Sequence, residues 1–321
     1  MTDNNYEDNQ YEIVIVGGGP AGLTAALYAG RAMVRTLVLE RGALGGQLWN
    51  TAEVDNYPGL PDTTGPELAA KFEEHAKKFG ADFEFGAVTE IARDGDRFRI
   101  KTDLGDEFTA LSVIVTSGGE PRKLGVPGED RLAGAGVSYC AVCDGAFFKD
   151  QDIAVVGGGD SALEEGEYLT RYGSKVYLIH RRDEFRASPS LVERFDASDK
   201  TEKVLDSIVE EIVGDGKVSA VRVKNKLSGE VREIPVAAVF PFVGFTPYSD
   251  IFEDGLVETD ASGHIVTDSK METATAGLFA AGDVRSQYTR QIANAVGDAT
   301  VAALAAAAHV GKARASAAAV S

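Results

Sequence analysis

Only two cysteines occur among 321 residues, and they form one motif, Cys140-Ala141-Val142-Cys143, followed at once by Asp144. A C-x-x-C pair can close a small, strained disulfide whose thiolates form readily, so it is suited to carrying two electrons. Opening the disulfide leaves a departing sulfur that needs a proton, and Asp144, adjacent to Cys143, is the candidate acid. A zinc site is disfavoured, because tetrahedral coordination needs more ligands than two cysteines and no histidine stands at a suitable spacing; no metal is expected. An inert structural disulfide is the plainer alternative, but such a pair in a reducing compartment points to catalysis. Something must then feed electrons to it.

A glycine-rich loop stands on each side of the pair. The first follows an apolar, β-branched run, Glu12-Ile13-Val14-Ile15-Val16, which reads as a buried parallel strand. Gly17-Gly18-Gly19-Pro20-Ala21-Gly22 comes next, then an alanine-rich helix from Leu23 to Arg31. This is G-x-G-x-x-G in the setting it requires: Gly17 for the tight turn, Gly19 for close approach of a pyrophosphate, Gly22 for close helix packing, and a helix N-terminus for partial positive charge. A second strand, Thr36 to Leu39, ends at Glu40, whose carboxylate can accept both hydroxyls of an unphosphorylated ribose, as in FAD or NAD.

The second loop repeats the plan. Ile153 to Val156 reads as a strand, Gly157-Gly158-Gly159-Asp160-Ser161-Ala162 as the loop, Leu163 to Tyr172 as the helix and Lys175 to Ile179 as the next strand. Gly17 maps onto Gly157, and by the same offset Glu40 maps onto His180. The chain thus holds two dinucleotide units, duplicated or converged. Their ends differ. In place of a lone acid the second unit has His180-Arg181-Arg182 and then Arg186, the densest basic cluster in the chain. A carboxylate would repel a 2′-phosphate, whereas guanidiniums grip one through paired charged hydrogen bonds, so this unit is expected to take NADP rather than NAD.

The remaining segments must position these parts. Gly45-Gly46-Gln47-Leu48-Trp49 and the run from 54 to 59 read as loops, and residues 66 to 79 as a helix stopped by Gly80, with His75 structural or exposed. Segments 97 to 102 and 107 to 115 read as antiparallel strands. Thr116-Ser117-Gly118-Gly119-Glu120-Pro121 reads as a crossover out of the first domain, and Pro241 to Pro247 as the return. Residues 204 to 240 are β-rich with a turn at Gly214-Asp215-Gly216. Gly277 to Val284 is an apolar strand closing on Gly282-Asp283; Arg290-Gln291 and an alanine-rich helix to about Ala308 follow, with Lys312 to Ser321 read as a disordered tail.

Composition bounds the answer. At 44% hydrophobic and 26% charged residues the chain is an ordinary globular one, long enough for two domains. A net charge of -18 argues against nucleic acid as partner. It reads either as a solvated acidic surface or as adaptation to high salt. No apolar run looks long enough for a membrane span, and Met1 to Gln10 is polar and acidic, so a cytoplasmic protein is expected.

In order and spacing, GGGPAG, GGQL, CAVCDG, GGGDSALEE, HRRDEFRA and GLFAAGDV resemble the low-molecular-weight thioredoxin reductases, and the resemblance runs from about Tyr11 to His309. It implies an α/β fold of two Rossmann-like dinucleotide-binding domains of the three-layer ββα kind, with an NADPH domain inserted into an FAD domain. The implied boundaries are 1–118 and 246–321 for the FAD domain and 119–245 for the NADPH domain carrying the cysteines. FAD would be held by the loop residues Gly17, Gly19, Pro20, Ala21 and Gly22, by Glu40, by Gly46, Gln47 and Asn56, and by Gly282, Asp283, Arg290 and Gln291. NADPH would lie at Gly157, Gly159, Asp160 and Ser161 and at Arg181, Arg182 and Arg186. The resemblance further implies a homodimer, a thioredoxin or thioredoxin-like partner, and Cys143 as the sulfur nearer the flavin. Which cysteine attacks the partner stays open. The chain departs from the family's usual A-T-G at the first crossover, where it has Thr116-Ser117-Gly118, and Trp49 lies outside the shared pattern.

The disulfide belongs to the segment attached to the NADP unit and the flavin to the other, so two domain orientations are expected, exchanged by rotation near 117–121 and 243–247. Two other classes compete: an NAD(P)H-dependent flavin oxidoreductase without a protein substrate, whose members typically lack C-x-x-C, and a non-catalytic redox sensor.

Overall fold

Residues 9–51, 54, 56–60 and 62–320 are described by the structure, a computed structural model. The chain divides into two units, residues 1–120 with 246–321, and residues 121–245.

The first unit opens on β1 (Gln10–Val16), in which Ile13, Val14 and Ile15 are fully buried, followed by α1 (Pro20–Arg31) and β2 (Thr36–Glu40). Burying such a side chain is worth about 1.5–3 kcal/mol, which is why a continuous apolar run settles in the middle of a sheet. Helix α2 (Gly65–Lys77) starts where the apolar spacing places it, because Thr64 and Glu67 form a reciprocal capping box, and His75 is exposed beside Phe79. Strands β3 (Asp82–Phe85), β4 (Val88–Asp94), β5 (Arg97–Thr102) and β6 (Glu107–Val115) follow. Parallel β3, β2, β1 and β6 lie side by side; the first half of β6 also takes the antiparallel hairpin of β5 and β4.

Strand β7 (Gly119–Pro121) carries the chain out of this unit. The second unit contains α3 (Ala141–Asp144), β8 (Asp152–Gly157), α4 (Asp160–Leu169), β9 (Lys175–Ile179), α5 (Pro189–Asp196) and β10 (Thr201–Val204). An antiparallel sheet of β11 (Ser207–Asp215), β12 (Lys217–Asn225) and β13 (Val231–Pro235) comes next, its first turn made at Gly216 with φ +70°. Strand β14 (Ala238–Phe242) then completes a parallel sheet in the order β10, β9, β8, β14. The return strand is β15 (Phe245–Pro247).

Back in the first unit, β16 (Leu278–Ala280) pairs in parallel with the second half of β6, and α6 (Ile292–Val320) closes the chain. Two expectations change here. Alpha-6 is long and apolar enough, by length and composition, to cross a membrane; yet Ala295, Ala299, Ala302, Ala303, Ala306 and Val310 lie in the core cluster with residues of α1 and β1, the face of a core helix. Nor is the segment after Lys312 a loose tail: it continues the helix to Val320. Alanine has the best helix propensity, and Arg314 donates through Nε and Nη2 to the carboxylate of Glu12, which is 1% exposed in β1. A buried carboxylate needs such a partner, and pairing it holds the last turns in place.

Candidate functional site

In the first unit the glycine loop is shaped by close approach. Gly17, at φ +106°, would put a side chain 2.5 Å from the carbonyl oxygen of Thr116, and a Cβ on Gly22 would stand 1.8 Å from that of Gly17. No side chain other than glycine's fits either place. Gly19 differs: a Cβ there would find nothing nearer than Gly46 Cα at 4.0 Å, so this glycine keeps space open above the loop. It is also the N-cap of α1, with no side-chain cap, so first-turn N–H groups face that space. The loop therefore fits a pyrophosphate.

Around it gather the residues assigned to the flavin. Glu40 stands at the end of β2 and accepts N–H groups from Gly18 (2.5 Å) and Gly42 (2.8 Å), which fixes its carboxylate beside the loop while leaving acceptor capacity. Gln47 Nε2 donates to the Gly119 carbonyl at 3.2 Å. Asn56 Nδ2 donates to Gln291 Oε1 at 3.3 Å. A Cβ on Gly282 would lie 3.1 Å from that of Ala21, so the turn after β16 comes to the start of α1 and brings Asp283 with it. Burial pushes the Asp283 carboxyl up to about 6; Arg290 opposes the shift and Asp298 adds to it. The Ser117 hydroxyl, part of the departure at the crossover, donates to the Tyr248 carbonyl at 2.7 Å and so has a structural role.

The second unit repeats the loop with different chemistry beside it. Gly159 is the uncapped N-cap of α4, and Asp160 Oδ1 accepts the N–H of Ser188 at 2.8 Å. Where the first unit has an acid, His180 is 7% exposed and its ring fills the space above Gly158, so close that a Cβ there would lie 2.1 Å away. Its Nε2 is 3.1 Å from the Glu184 carbonyl, which can only accept, so that nitrogen carries the proton. Burial, with Arg181 and Arg182 adding, lowers its pKa against the opposing pull of the Glu184 and Gly157 backbone. The backbone N–H of Arg186 donates to the Gly158 carbonyl at 2.8 Å, which brings this arginine over the loop. Arg181, Arg182 and Arg186 are exposed, and none of their guanidiniums forms an ion pair or side-chain hydrogen bond with a described residue. In a chain of 50 acids, three unengaged guanidiniums beside a nucleotide loop suit a ligand phosphate.

The same unit carries the sulfurs. Cys140 and Cys143 are joined as a disulfide with Cα atoms 5.3 Å apart. Cys140 is the N-cap of the short α3, and its Sγ accepts the N–H of Cys143 at 3.2 Å. Once the bond opens, that N–H favours negative charge on Cys140. Both cysteines and Asp144 are half-buried, while Val142 and Phe147, close in sequence, are 42% and 43% exposed, so exposed apolar side chains flank the pair. Beneath α3, Glu165 of α4 hydrogen-bonds the backbone of Ala141, and its Oε2 is buried with no partner among the described residues. Burial, with Glu164 adding, raises its pKa.

Sequence reasoning did not single out Glu165, nor Gln287, whose amide nitrogen and oxygen are both buried without a partner among the described residues. Neither belongs to a spacing that announces it; Glu165 is simply part of a helical run, and Gln287 of a loop. Among the described residues no group of three or more histidines, cysteines or acids could hold a metal ion.

Residues 11–299 match the family described as pyridine nucleotide-disulphide oxidoreductase. The thioredoxin reductase of Listeria innocua is 49% identical over 293 residues, 91% of either chain. The crystal structure of thioredoxin reductase from Streptococcus pyogenes, 44% identical, superposes with a TM-score of 0.91 over 95% of this chain and all of that one. That of Lactococcus lactis thioredoxin reductase, in what is termed the FR conformation, is 46% identical and covers 94% of this chain and 99% of that one, with a TM-score of 0.64. On a match of this extent and at these identities, the chain belongs to the pyridine nucleotide-disulphide oxidoreductases.

Proposed function

We propose that the protein is an NADPH-dependent flavoprotein reductase of thioredoxin or a thioredoxin-like protein. FAD and NADPH are the cofactors of the family and, when bound, supply hydride transfer from nicotinamide to flavin and on to the disulfide. The chain's own residues do the rest. The first unit serves as the FAD domain: the Gly17–Gly22 loop and the start of α1 take the pyrophosphate, and Glu40 takes the ribose hydroxyls. The second serves as the NADPH domain, its three guanidiniums gripping the 2′-phosphate. Reduction opens the Cys140–Cys143 bond, two electrons entering the sulfur pair, and Asp144 delivers a proton to the departing sulfur. The dithiol then passes its electrons to the partner's disulfide by exchange, and the apolar rim of Val142 and Phe147 supplies a surface for that partner. The observation that carries the reading is the disulfide lying in the same unit as the unengaged arginine cluster.

Rotation of one unit against the other between half-reactions belongs to this reading. It is supported by the two solved relatives, which at nearly equal identity superpose on this chain so differently that they must differ from each other in shape. A homodimer and a cytoplasmic location complete the proposal; a reducing compartment keeps a C-x-x-C pair available for turnover.

Stopped-flow spectroscopy tests it. NADPH is expected to bleach the flavin band and NADH to do so far less efficiently. Cys143→Ser should keep that bleaching and lose thioredoxin reduction. A variant that reduces thioredoxin at the original rate, or a preference for NADH, would overturn the assignment.

A further inference from the structure

His264 stands behind the residues assigned to the flavin, in the loop before β16, and is 4% exposed. Its Nε2 is 2.6 Å from Nη2 of Arg290, and its Nδ1 is 3.3 Å from Oδ1 of Asp260. A guanidinium has no acceptor, so the nitrogen facing it must present a lone pair. The proton therefore sits on Nδ1 and is donated to Asp260, which fixes the tautomer. Asp260 is anchored in turn by the backbone N–H groups of Ser262 (2.8 Å) and His264 (3.0 Å). The result is a chain of contacts, carboxylate to neutral imidazole to guanidinium, ending on a residue of the flavin set.

We propose that His264 is a positioning residue for flavin binding: as a neutral acceptor braced by Asp260 it holds the Arg290 guanidinium in its binding orientation, and gaining a proton at Nε2 releases it. This rests on the reading of Arg290 as a flavin contact. A protonated ring would turn an N–H toward the N–H groups of Arg290 and set two cations against each other at a buried site. The charged groups around the ring are Asp260 on its own loop and Arg290 on the segment before α6. Behind Arg290 stand Asp283 and the Arg285–Asp298 ion pair, 2.8 Å between Nε and Oδ2. Burial and then Arg290 hold the imidazole below the ordinary histidine range against the opposing pull of Asp260. Asp260 itself is held at about 2, hydrogen bonds from Ser286, His264 and Ser262 outweighing its burial, so it remains an acceptor through the acid range. The contact is thus intact near neutrality and fails on acidification.

The test is the rate of flavin release from purified holoprotein, followed by the rise in free-flavin fluorescence at about pH 7.5 and about pH 5. The native protein should release flavin at least about tenfold faster at the lower pH, the loss of one charged hydrogen bond. Arg290→Ala and His264→Phe should be fast at both values. His264→Gln, whose amide oxygen accepts without titrating, should be slow at both, an outcome that a merely structural histidine would not give. If Arg290→Ala is fast but His264→Phe is as slow as the native protein at the higher pH, the positioning role fails and the flavin contact of Arg290 stands. If Arg290→Ala is itself slow at both, both readings fail. A Gln variant that keeps the native acid-induced release also overturns the proposal.

Discussion

Asp283 shows how far a single carboxylate can be displaced by its surroundings. With its pKa raised to about 6, the folded protein binds this proton more tightly than the unfolded chain does. The contribution of Asp283 to stability is therefore complete below the ordinary carboxylate value and declines as pH rises through about 6. In flavin-free protein, Asp283→Asn should remove that decline. The variant should gain on the order of 2–3 kcal/mol over the native chain between about pH 4 and pH 7.5, read from urea midpoints. A pH-independent difference would mean that the group titrates normally. The identity of Asp283 was plain from the strand that ends on Gly282-Asp283; its displacement was not, since burial and the approach of Arg290 and Asp298 are made by folding.

The elements were largely written in the order of residue types. Apolar β-branched runs became β1, β2 and β8, since each alternates no polar face and must be covered on both sides. The helices after the glycine loops begin at Pro20 and Asp160, slightly ahead of the apolar spacing, because the loop's last residues already turn helical. Alpha-6 is the element that pattern alone misjudged. Its final turns hold because Arg314 meets Glu12, a carboxylate that also accepts the N–H of Arg35 at 3.0 Å. Arg314→Ala should leave Glu12 buried with a charge and one fewer partner, lowering stability by about 1–3 kcal/mol in a urea titration. Arg314→Lys should recover part of that. An unchanged midpoint would show that the last turns of α6 do not anchor β1. No spacing rule connects residues at the two ends of a chain, so this contact was out of reach of local reading.

For the whole molecule, the decisive property is the division of labour between two units, each built on one glycine loop. In the proposed function electrons enter and leave through the unit with the arginines and sulfurs, while the flavin is held by the other, so turnover would call for rearrangement. A covalent tether between the units, formed by a photocrosslinking side chain so that the two native cysteines are untouched, should leave FAD bound and abolish repeated thioredoxin turnover. A single half-reaction with NADPH or with thioredoxin should survive. Full turnover in a tethered protein would rule out the rotation.

Type and spacing alone specified the paired sulfurs, both glycine loops, the contrast of Glu40 with His180 and the arginines, and the alternation of strands and helices. These are local properties, in which steric demand, charge and periodicity act over a few residues. Folding decided what depends on residues far apart in the chain. It set a neutral His264 between Asp260 and Arg290, closed Arg314 on Glu12, and withdrew Glu165 beneath the cysteines. In each case a charge or a lone pair acquires its state from partners and lost water that no neighbour in sequence provides.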